Sequence, residues 1–178
     1  MVIFLRISTL VSNTDIAWLA GMIESEGSIS FQTYLRKNGN ICIVPFVRMT
    51  NTDVKIIKEF LRICEGINVK ATDYMRVNLN KNIFSNKDCC NIRIEKMERV
   101  VNLINLIVPY MKSFKKKNAS VVLSFIESRQ KNLLNRDNLG RIIRSRYSKN
   151  EVELVASIRT HRRAMPLSEM LCAPNVEK

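Results

Sequence analysis

The sequence predicts an α+β domain in which helices cover one face of an antiparallel sheet. Segments with apolar residues at helical spacing are interleaved with segments in which polar and apolar residues alternate. The predicted order is αββαββα, with four strands in one sheet and extra helices at the C-terminus. With 178 residues, 46% of them hydrophobic, the chain can form one core. We expect a core domain over residues 1–135 and a basic helical extension over 136–178, packed on or beside it.

The first half of the chain predicts a helix, a hairpin and a second helix. Asn13, Thr14 and Asp15 supply capping groups for a helix over about 15–26, which Gly27 ends. Alternation over 28–36, a turn at 37–40 and an apolar run over 41–49 predict the hairpin. The second helix follows Thr52 and Asp53 and ends near residue 66.

The second half predicts two more strands and then helices only. Alternating residues between about 69 and 80 and the segment 89–94 predict the strands that complete the sheet. Helices are predicted over about 95–108 and 116–131, separated by Pro109 and a run of lysines. A further helix is capped by Ser148.

The charge of the chain indicates a polyanionic partner. Lysine and arginine number 29 against 16 acids, which gives a net charge of +13 spread over most of the chain. Nucleic acid is the favoured partner, and a basic solvated surface is the alternative. The apolar stretch over 1–11 is interrupted by Arg6 and is too short to span a membrane, so we expect no membrane partner.

Cysteine and histidine usage constrains compartment and chemistry. The five cysteines show no C-x-x-C spacing and predict reduced thiols in an intracellular, reducing compartment. An archaeal or bacterial cytoplasm and an organelle are not distinguished. With His161 as the single histidine, the sequence disfavours a nuclease built on histidine metal ligands.

The first predicted helix is suited to pack against another helix. Ala17, Gly21 and Ser25 recur every four residues, so one stripe of the helix lets a second backbone approach closely. Packing within one chain is the alternative. Glu26 lies in the last turn, where the helix dipole disfavours an anion unless a cation binds there. Two such helices about a two-fold axis would offer two Glu26 carboxylates and main-chain oxygens such as that of Ser25, which suit Mg²⁺.

Residues 18–28, WLAGMIESEGS, resemble the signature of the LAGLIDADG homing endonucleases: Leu-Ala-Gly, two apolar residues, then acid-small-acid-Gly. The resemblance implies that family's fold, with a sheet that binds double-stranded DNA, and a homodimer, since each chain carries one motif. It implies intron homing by cleavage of both strands of a long pseudo-palindromic target, leaving 3′ overhangs. Mg²⁺ is the implied cofactor, Mn²⁺ as a substitute, with Ca²⁺ supporting binding without cleavage.

The resemblance also implies roles for single residues. Glu26 takes the place of the family's metal-binding acid, which is more usually aspartate. Because Glu24 lies about 200° from Glu26 around the helix, we expect it to be a secondary acid with a hydrogen-bonding or structural role. Asn51 and Lys55 take the places that position water and contact phosphate, and Lys115 that of a lysine ahead of a helix. For the lysines over 112–117, a solvated or phosphate-contacting run is the alternative. The predicted dimer interface consists of Ala17, Trp18, Ala20, Gly21, Glu24 and Ser25.

Polar side chains on one face of the predicted sheet indicate a surface that reads bases in the major groove, because arginine and amide side chains pair with base edges. Its predicted base-reading residues are Ser28, Ser30, Gln32, Tyr34, Arg36, Arg48, Lys70, Thr72, Arg76 and Asn78. The predicted phosphate contacts are Lys37, Lys112, Lys116, Lys117, Arg141 and Arg144. An ordinary solvated sheet face is the alternative.

Two other functions remain open from the sequence. One is a non-catalytic nucleic-acid binder, either an intron RNA maturase on the same scaffold or a DNA-binding regulator that kept the dimer helix. The other is a basic ribosome-type accessory protein, which leaves Ala17, Gly21 and Glu26 without a role.

Overall fold

A computed structural model describes residues 11–76, 89–133, 146–158 and 166–176 of the chain. The elements of the first half are α1 (Asn13–Glu26), β1 (Gly27–Leu35), β2 (Ile41–Asn51), α2 (Val54–Gly66) and β3 (Thr72–Arg76). Those of the second half are β4 (Cys89–Ile94), α3 (Met97–Ile107), α4 (Lys115–Leu133), α5 (Lys149–Ser157) and α6 (Leu167–Leu171), with a 3₁₀ turn at Val108–Tyr110. The predicted α+β class and the order αββαββα are confirmed.

The strands form one antiparallel sheet in the order β1-β2-β4-β3. Gly27 lies opposite Met49 in the β1–β2 pair, and Arg48 lies opposite Arg93 in the β2–β4 pair. Side chains of directly paired residues lie on the same face of a sheet. The register therefore decides which side chains share a surface.

Helices cover one face of this sheet, and the core lies between them. Strand residues such as Ile29, Val47 and Ile92 are buried there against α1, α2, α3 and α4. Each of these helices has an apolar stripe, as Leu19 and Ile23 illustrate on α1. The opposite face of the sheet carries Ser28, Gln32, Tyr34 and Arg48, and we call it the open face.

Two boundaries differ from the prediction for local reasons. α1 is capped by Ser12, whose side chain and that of Asp15 form a reciprocal capping box, so the helix begins before residue 15. β3 begins only at Thr72, because the amide of Val69 donates to the Cys64 carbonyl (2.8 Å) and closes the end of α2. The predicted strand positions beyond residue 76 lie outside the described residues.

The C-terminal helix capped by Ser148 is present as α5, with a capping box to Glu151. Glu151 is fully buried and accepts hydrogen bonds from Ser128 (3.0 Å), Asn132 (3.2 Å) and Arg129 (3.3 Å) of α4. This polar network fastens α5 to α4, since a buried carboxylate needs its partners. Among the described helices, none is long and apolar enough to cross a membrane.

Candidate functional site

The junction between α1 and β1 presents an exposed carboxylate. Glu26 is the last residue of α1, and Gly27 begins β1 at once. A Cβ at position 27 would lie 2.8 Å from the Ile23 backbone and 3.0 Å from the Arg48 carbonyl, so glycine permits this direct passage. Within the described part of the chain, the Glu26 side chain has neither a hydrogen bond nor an ion pair. A carboxylate held at the negative end of a helix is a site for a cation.

Glu24, two residues earlier, is committed to its own chain. Its Oε1 accepts hydrogen bonds from the amides of Ser113 (2.6 Å) and Lys112 (2.7 Å). These bonds hold the pKa of the Glu24 carboxyl below its usual range, and the bond from the Ser113 amide has the largest effect. Burial acts in the opposite direction. Glu24 therefore fastens the segment ahead of α4 to the end of α1.

Lys115 caps the C-terminus of α1. Its ammonium donates to the main-chain oxygens of Glu24 (2.6 Å), Gly27 (2.7 Å), Ile23 (3.1 Å) and Ser25 (3.4 Å). Carbonyls at a helix C-terminus have no partners within the helix, and the ammonium satisfies them. Burial lowers the pKa of Lys115, although the charges of Glu24 and Glu26 act in the opposite direction.

Asn51 and Lys55 flank the start of α2. The Asn51 Oδ1 accepts from the Asp53 amide (2.8 Å), and the Asp53 carboxylate accepts from the Lys55 amide (2.8 Å) as the N-cap of α2. The exposed Lys55 lines a shallow cavity of about 370 Å³ beside Trp18 of α1. Trp18 precedes Glu26 by about 12 Å of helix rise. The structure thus brings Lys115 to the end of α1 that carries Glu26 and places Lys55 beside its first half.

Among the described residues, Glu26 is the carboxylate at the end of α1 that one chain leaves available for a metal ion. In the described ranges, no cluster of three histidine, cysteine, aspartate or glutamate side chains could hold one. Mg²⁺ is usually held by one or two carboxylates together with waters and substrate phosphates, so a pair of Glu26 carboxylates with main-chain oxygens fits it. Among the four main-chain oxygens that Lys115 contacts, the Ser25 oxygen is the most distant from the ammonium, at 3.4 Å.

One stripe of α1 faces open space. A side chain at Gly21 would meet no atom within 4 Å, Ser25 is exposed, and Ala17 and Trp18 are half-buried. The inclusion of Ala20 in the predicted interface is wrong. Ala20 is fully buried because it shares the core-facing stripe of Leu19 and Ile23.

Most predicted base-reading residues are accessible on or beside the sheet. Exposed are Gln32, Tyr34, Arg36, Lys70 and Thr72, while Ser28 and Arg48 are half-buried. Ser30 is 6% exposed, contrary to prediction, because it lies opposite the bulky Phe46 on the open face. Arg76 belongs to β3, but its side chain is not described, and Asn78 lies outside the described residues.

Four of the six predicted phosphate contacts lie among the described residues. Lys37, Lys112, Lys116 and Lys117 are exposed. Arg141 and Arg144 lie outside the described residues.

Sequence reasoning missed Arg93 and Phe46 on the open face. The guanidinium of Arg93 lies 4.8 Å from the Phe46 ring centroid, and that of Arg48 lies 5.8 Å from it. Arg93 also contacts Gln32 and Glu95. Two arginines directly opposite each other are unfavourable unless other groups or an anion offset them. Alternation along β4 was the available signal, but the pairing of β4 with β2 was needed to place Arg93.

The chain is similar to known proteins in structure but not detectably in sequence. No protein-family model matches the chain, and no curated protein sequence is similar to it. Its structure is similar to that of the homing endonuclease I-CvuI in complex with its DNA target, with a TM-score of 0.61 at 14% identity, covering 89% of this chain and 90% of that one. The archaeal intron-encoded homing endonuclease I-Vdi141I, complexed with DNA, matches with a TM-score of 0.61 at 16% identity, over 89% and 93%.

The chain also matches about half of a longer protein. The LAGLIDADG homing endonuclease I-LtrWI, bound to target DNA, has a TM-score of 0.62 at 12% identity, covering 94% of this chain but 51% of its own. At identities of 12 to 16%, these structural similarities show the fold alone. This chain has the fold of the LAGLIDADG homing endonucleases, in agreement with the motif that ends α1.

Proposed function

We propose that the chain is a site-specific endonuclease that hydrolyses phosphodiester bonds in double-stranded DNA as a homodimer with divalent metal. The observation that carries the proposal is the exposed Glu26 carboxylate at the C-terminus of α1, a helix whose small-residue stripe faces open space. A second α1 packed on this stripe would bring two carboxylates together. Paired carboxylates with bound metal are suited to phosphodiester hydrolysis.

The open face of the sheet supports DNA as the substrate. Arg48 and Arg93 lie opposite each other beside Gln32, and arginine and glutamine recognise guanine and adenine edges in the major groove. Ser28 lies opposite Arg48 and is two residues from Glu26, so the reading surface begins next to the carboxylate. Exposed Lys112, Lys116 and Lys117 would contact phosphates.

The coverage of the structural neighbours supports a dimer. The fold fills about nine-tenths of I-CvuI and I-Vdi141I but about half of I-LtrWI, whose length leaves room for a second copy. Association of two chains would place two copies of this fold, and thus two α1 helices, side by side. A two-fold dimer presents its reading face twice, so its target is long and pseudo-palindromic.

Glu26 of each chain, with the Ser25 main-chain oxygen, would hold Mg²⁺, with Mn²⁺ as a substitute. The metal supplies a Lewis acid and lowers the pKa of bound water. Asn51 would orient water, Lys55 would contact phosphate, and Lys115 would hold the α1 terminus in place and add positive charge near the reacting phosphate. We further propose that the cuts leave 3′ overhangs and serve intron homing.

The test is cleavage of plasmids that carry candidate intron-insertion sites, with Mg²⁺ and with Ca²⁺. We expect linear product in Mg²⁺ only. Glu26→Gln should abolish cleavage while binding in Ca²⁺ persists, because binding energy comes mainly from lysine and arginine contacts. Glu153→Gln, an exposed acid of α5, is the matched control and should cut normally.

Two outcomes would contradict the proposal. Cleavage by Glu26→Gln at the wild-type rate would place the metal elsewhere. Specific binding to DNA or intron RNA without cleavage in Mg²⁺ or Mn²⁺ would favour a non-catalytic binder such as an intron RNA maturase.

A further inference from the structure

The hairpin formed by β1 and β2 extends beyond the rest of the sheet. β4 pairs with β2 only from Val47 to Asn51, whereas β1 pairs with β2 from Ile41 to Met49. Residues 41–46 therefore have a strand on one side only within the described chain. An isolated two-stranded hairpin is at best marginally stable in water. This part of the hairpin needs support from outside the sheet.

The C-terminal region supplies that support. The Asn175 amide pairs with Ile41 as a neighbouring strand would, accepting from its N–H (2.9 Å) and donating to its C=O (2.9 Å). The Tyr147 hydroxyl accepts from the N–H of Ile43 (3.2 Å). Alternate residues of a strand direct their N–H groups to the same edge. The next residue of β2 that would direct an N–H to this edge is Pro45, which has none. Each N–H on this edge of residues 41–46 therefore has an acceptor.

These contacting residues are themselves held firmly. We call Tyr147 and residues 174–176 the C-terminal clamp. The Tyr147 amide donates to the Asn175 carbonyl (2.7 Å), which joins the two parts of the clamp. The Tyr147 ring stacks on Phe125 at 6.4 Å, with the Arg129 guanidinium 4.4 Å from its centroid. Burial raises the pKa of the Tyr147 hydroxyl.

The clamp also reaches the tip of the hairpin. Pro174 lies beside Gly39 in the hairpin turn: a Cβ added to Gly39 would lie 3.8 Å from the Pro174 ring. Gly39 has a φ of +78°, which the turn needs and which disfavours other residues. The supported hairpin carries Tyr34 near the end of β1, and Arg36 and Lys37 just after it. All three are exposed and lie at the end of the hairpin away from Glu26.

We infer that Tyr147 and Asn175 are positioning residues that hold the β1–β2 hairpin in the geometry in which Tyr34 and Arg36 read the outer base pairs of the DNA target. The inference rests on the proposed function, because it assigns a role within the same reading surface. Within the described residues, the hydrogen bonds of the clamp to the hairpin are those to Ile41 and Ile43. We therefore expect its effect on recognition at the base pairs read by the part of the hairpin that extends beyond β4, and not at those read by Arg48, which β4 supports.

The experiment uses the full chain and a duplex selected from a random library by the wild-type protein in Ca²⁺. Every base pair of that duplex is then substituted singly, and competition binding gives the discrimination at each position. Arg36→Ala first identifies the positions read by the hairpin. Tyr147→Phe/Asn175→Ala should lose discrimination roughly fivefold at those same positions and keep it at the positions that depend on Arg48, as expected for lost hydrogen bonds of ordinary strength.

Amide hydrogen exchange provides a readout that does not depend on DNA. Tyr147→Phe keeps the ring but removes the acceptor for Ile43, so exchange at the Ile43 amide should accelerate about fivefold, and Asn175→Ala should do the same at Ile41. Tyr110→Phe and Asn102→Ala change an exposed tyrosine and an exposed asparagine elsewhere and serve as matched controls. Both should leave exchange and discrimination unchanged.

The inference is overturned if the double variant keeps discrimination at the Arg36-dependent positions, if it loses discrimination equally everywhere, or if exchange at Ile41 and Ile43 is unaffected. A wild-type chain that selects no DNA sequence would instead overturn the proposed function itself. The two failures are therefore distinguishable.

Discussion

Single residues at the end of α1 have separate tasks. Glu24 accepts hydrogen bonds from two backbone amides of its own chain. Lys115 caps the carbonyls at the end of the helix, and Glu26 is exposed to solvent. The two acids differ because they lie on different sides of the helix, about 200° apart. Glu26 is thus the carboxylate that remains for a ligand.

Replacing Lys115 should affect stability and cleavage together. Lys115→Met leaves partly buried carbonyls without donors, which should cost about 1 to 3 kcal/mol of unfolding free energy. Cleavage should slow by about 100-fold, less severely than in Glu26→Gln, because the metal ligand remains. Thermal unfolding and single-turnover cleavage measure the two effects, with the exposed Lys58→Met as control. A variant of unchanged stability would show that the cap contributes nothing.

Arg48 and Arg93 should determine base identity. Arg48→Ala and Arg93→Ala should each lose about 1 to 3 kcal/mol of discrimination at particular base pairs and retain the metal requirement. Gln32→Ala should behave similarly, because Gln32 contacts Arg93 on the open face. Competition binding against single-substitution duplexes tests this. Uniform weakening over all sequences would identify phosphate contacts instead.

At the scale of elements, Glu24 connects α1 to the segment that precedes α4. Because its pKa is lowered in the folded chain, it stabilises the fold above its usual pKa of 4.5, and this contribution is lost as pH falls through the lower, folded value. Glu24→Gln should therefore be less stable than wild type at pH 7, and the difference should shrink on acidification below about 4.5. Denaturant unfolding against pH measures it, with Glu153→Gln as control. A difference independent of pH would contradict the assignment.

At the scale of the whole molecule, the open stripe of α1 predicts association. Gly21→Leu places a side chain where the single chain has space, so the monomer should fold and gain up to about 1 kcal/mol of helix propensity. The bulky side chain should prevent a second α1 from approaching, and the variant should be monomeric and inactive. Sedimentation measures the mass. Ser120→Leu, an exposed position of α4, should leave association unchanged, and an active Gly21→Leu dimer would refute the interface.

The sequence by itself determined the order of elements and the end of α1. Periodicity of apolar residues and capping groups act over a few neighbours, so α1, α2, β4 and the Ser148 cap were predictable from local pattern. The motif over residues 18–28 indicated the fold, and the structural neighbours agree with it. These properties depend on contacts between residues close in the chain.

The tertiary structure alone decided what each side chain meets. Lys115 lies 88 to 92 residues from the carbonyls that it caps, and Arg93 joins the open face only because β4 pairs with β2. Asn175 reaches Ile41 across 134 residues. Local pattern predicts the face on which a side chain lies, but its partner depends on strand register and helix packing, which the buried core of the whole chain sets.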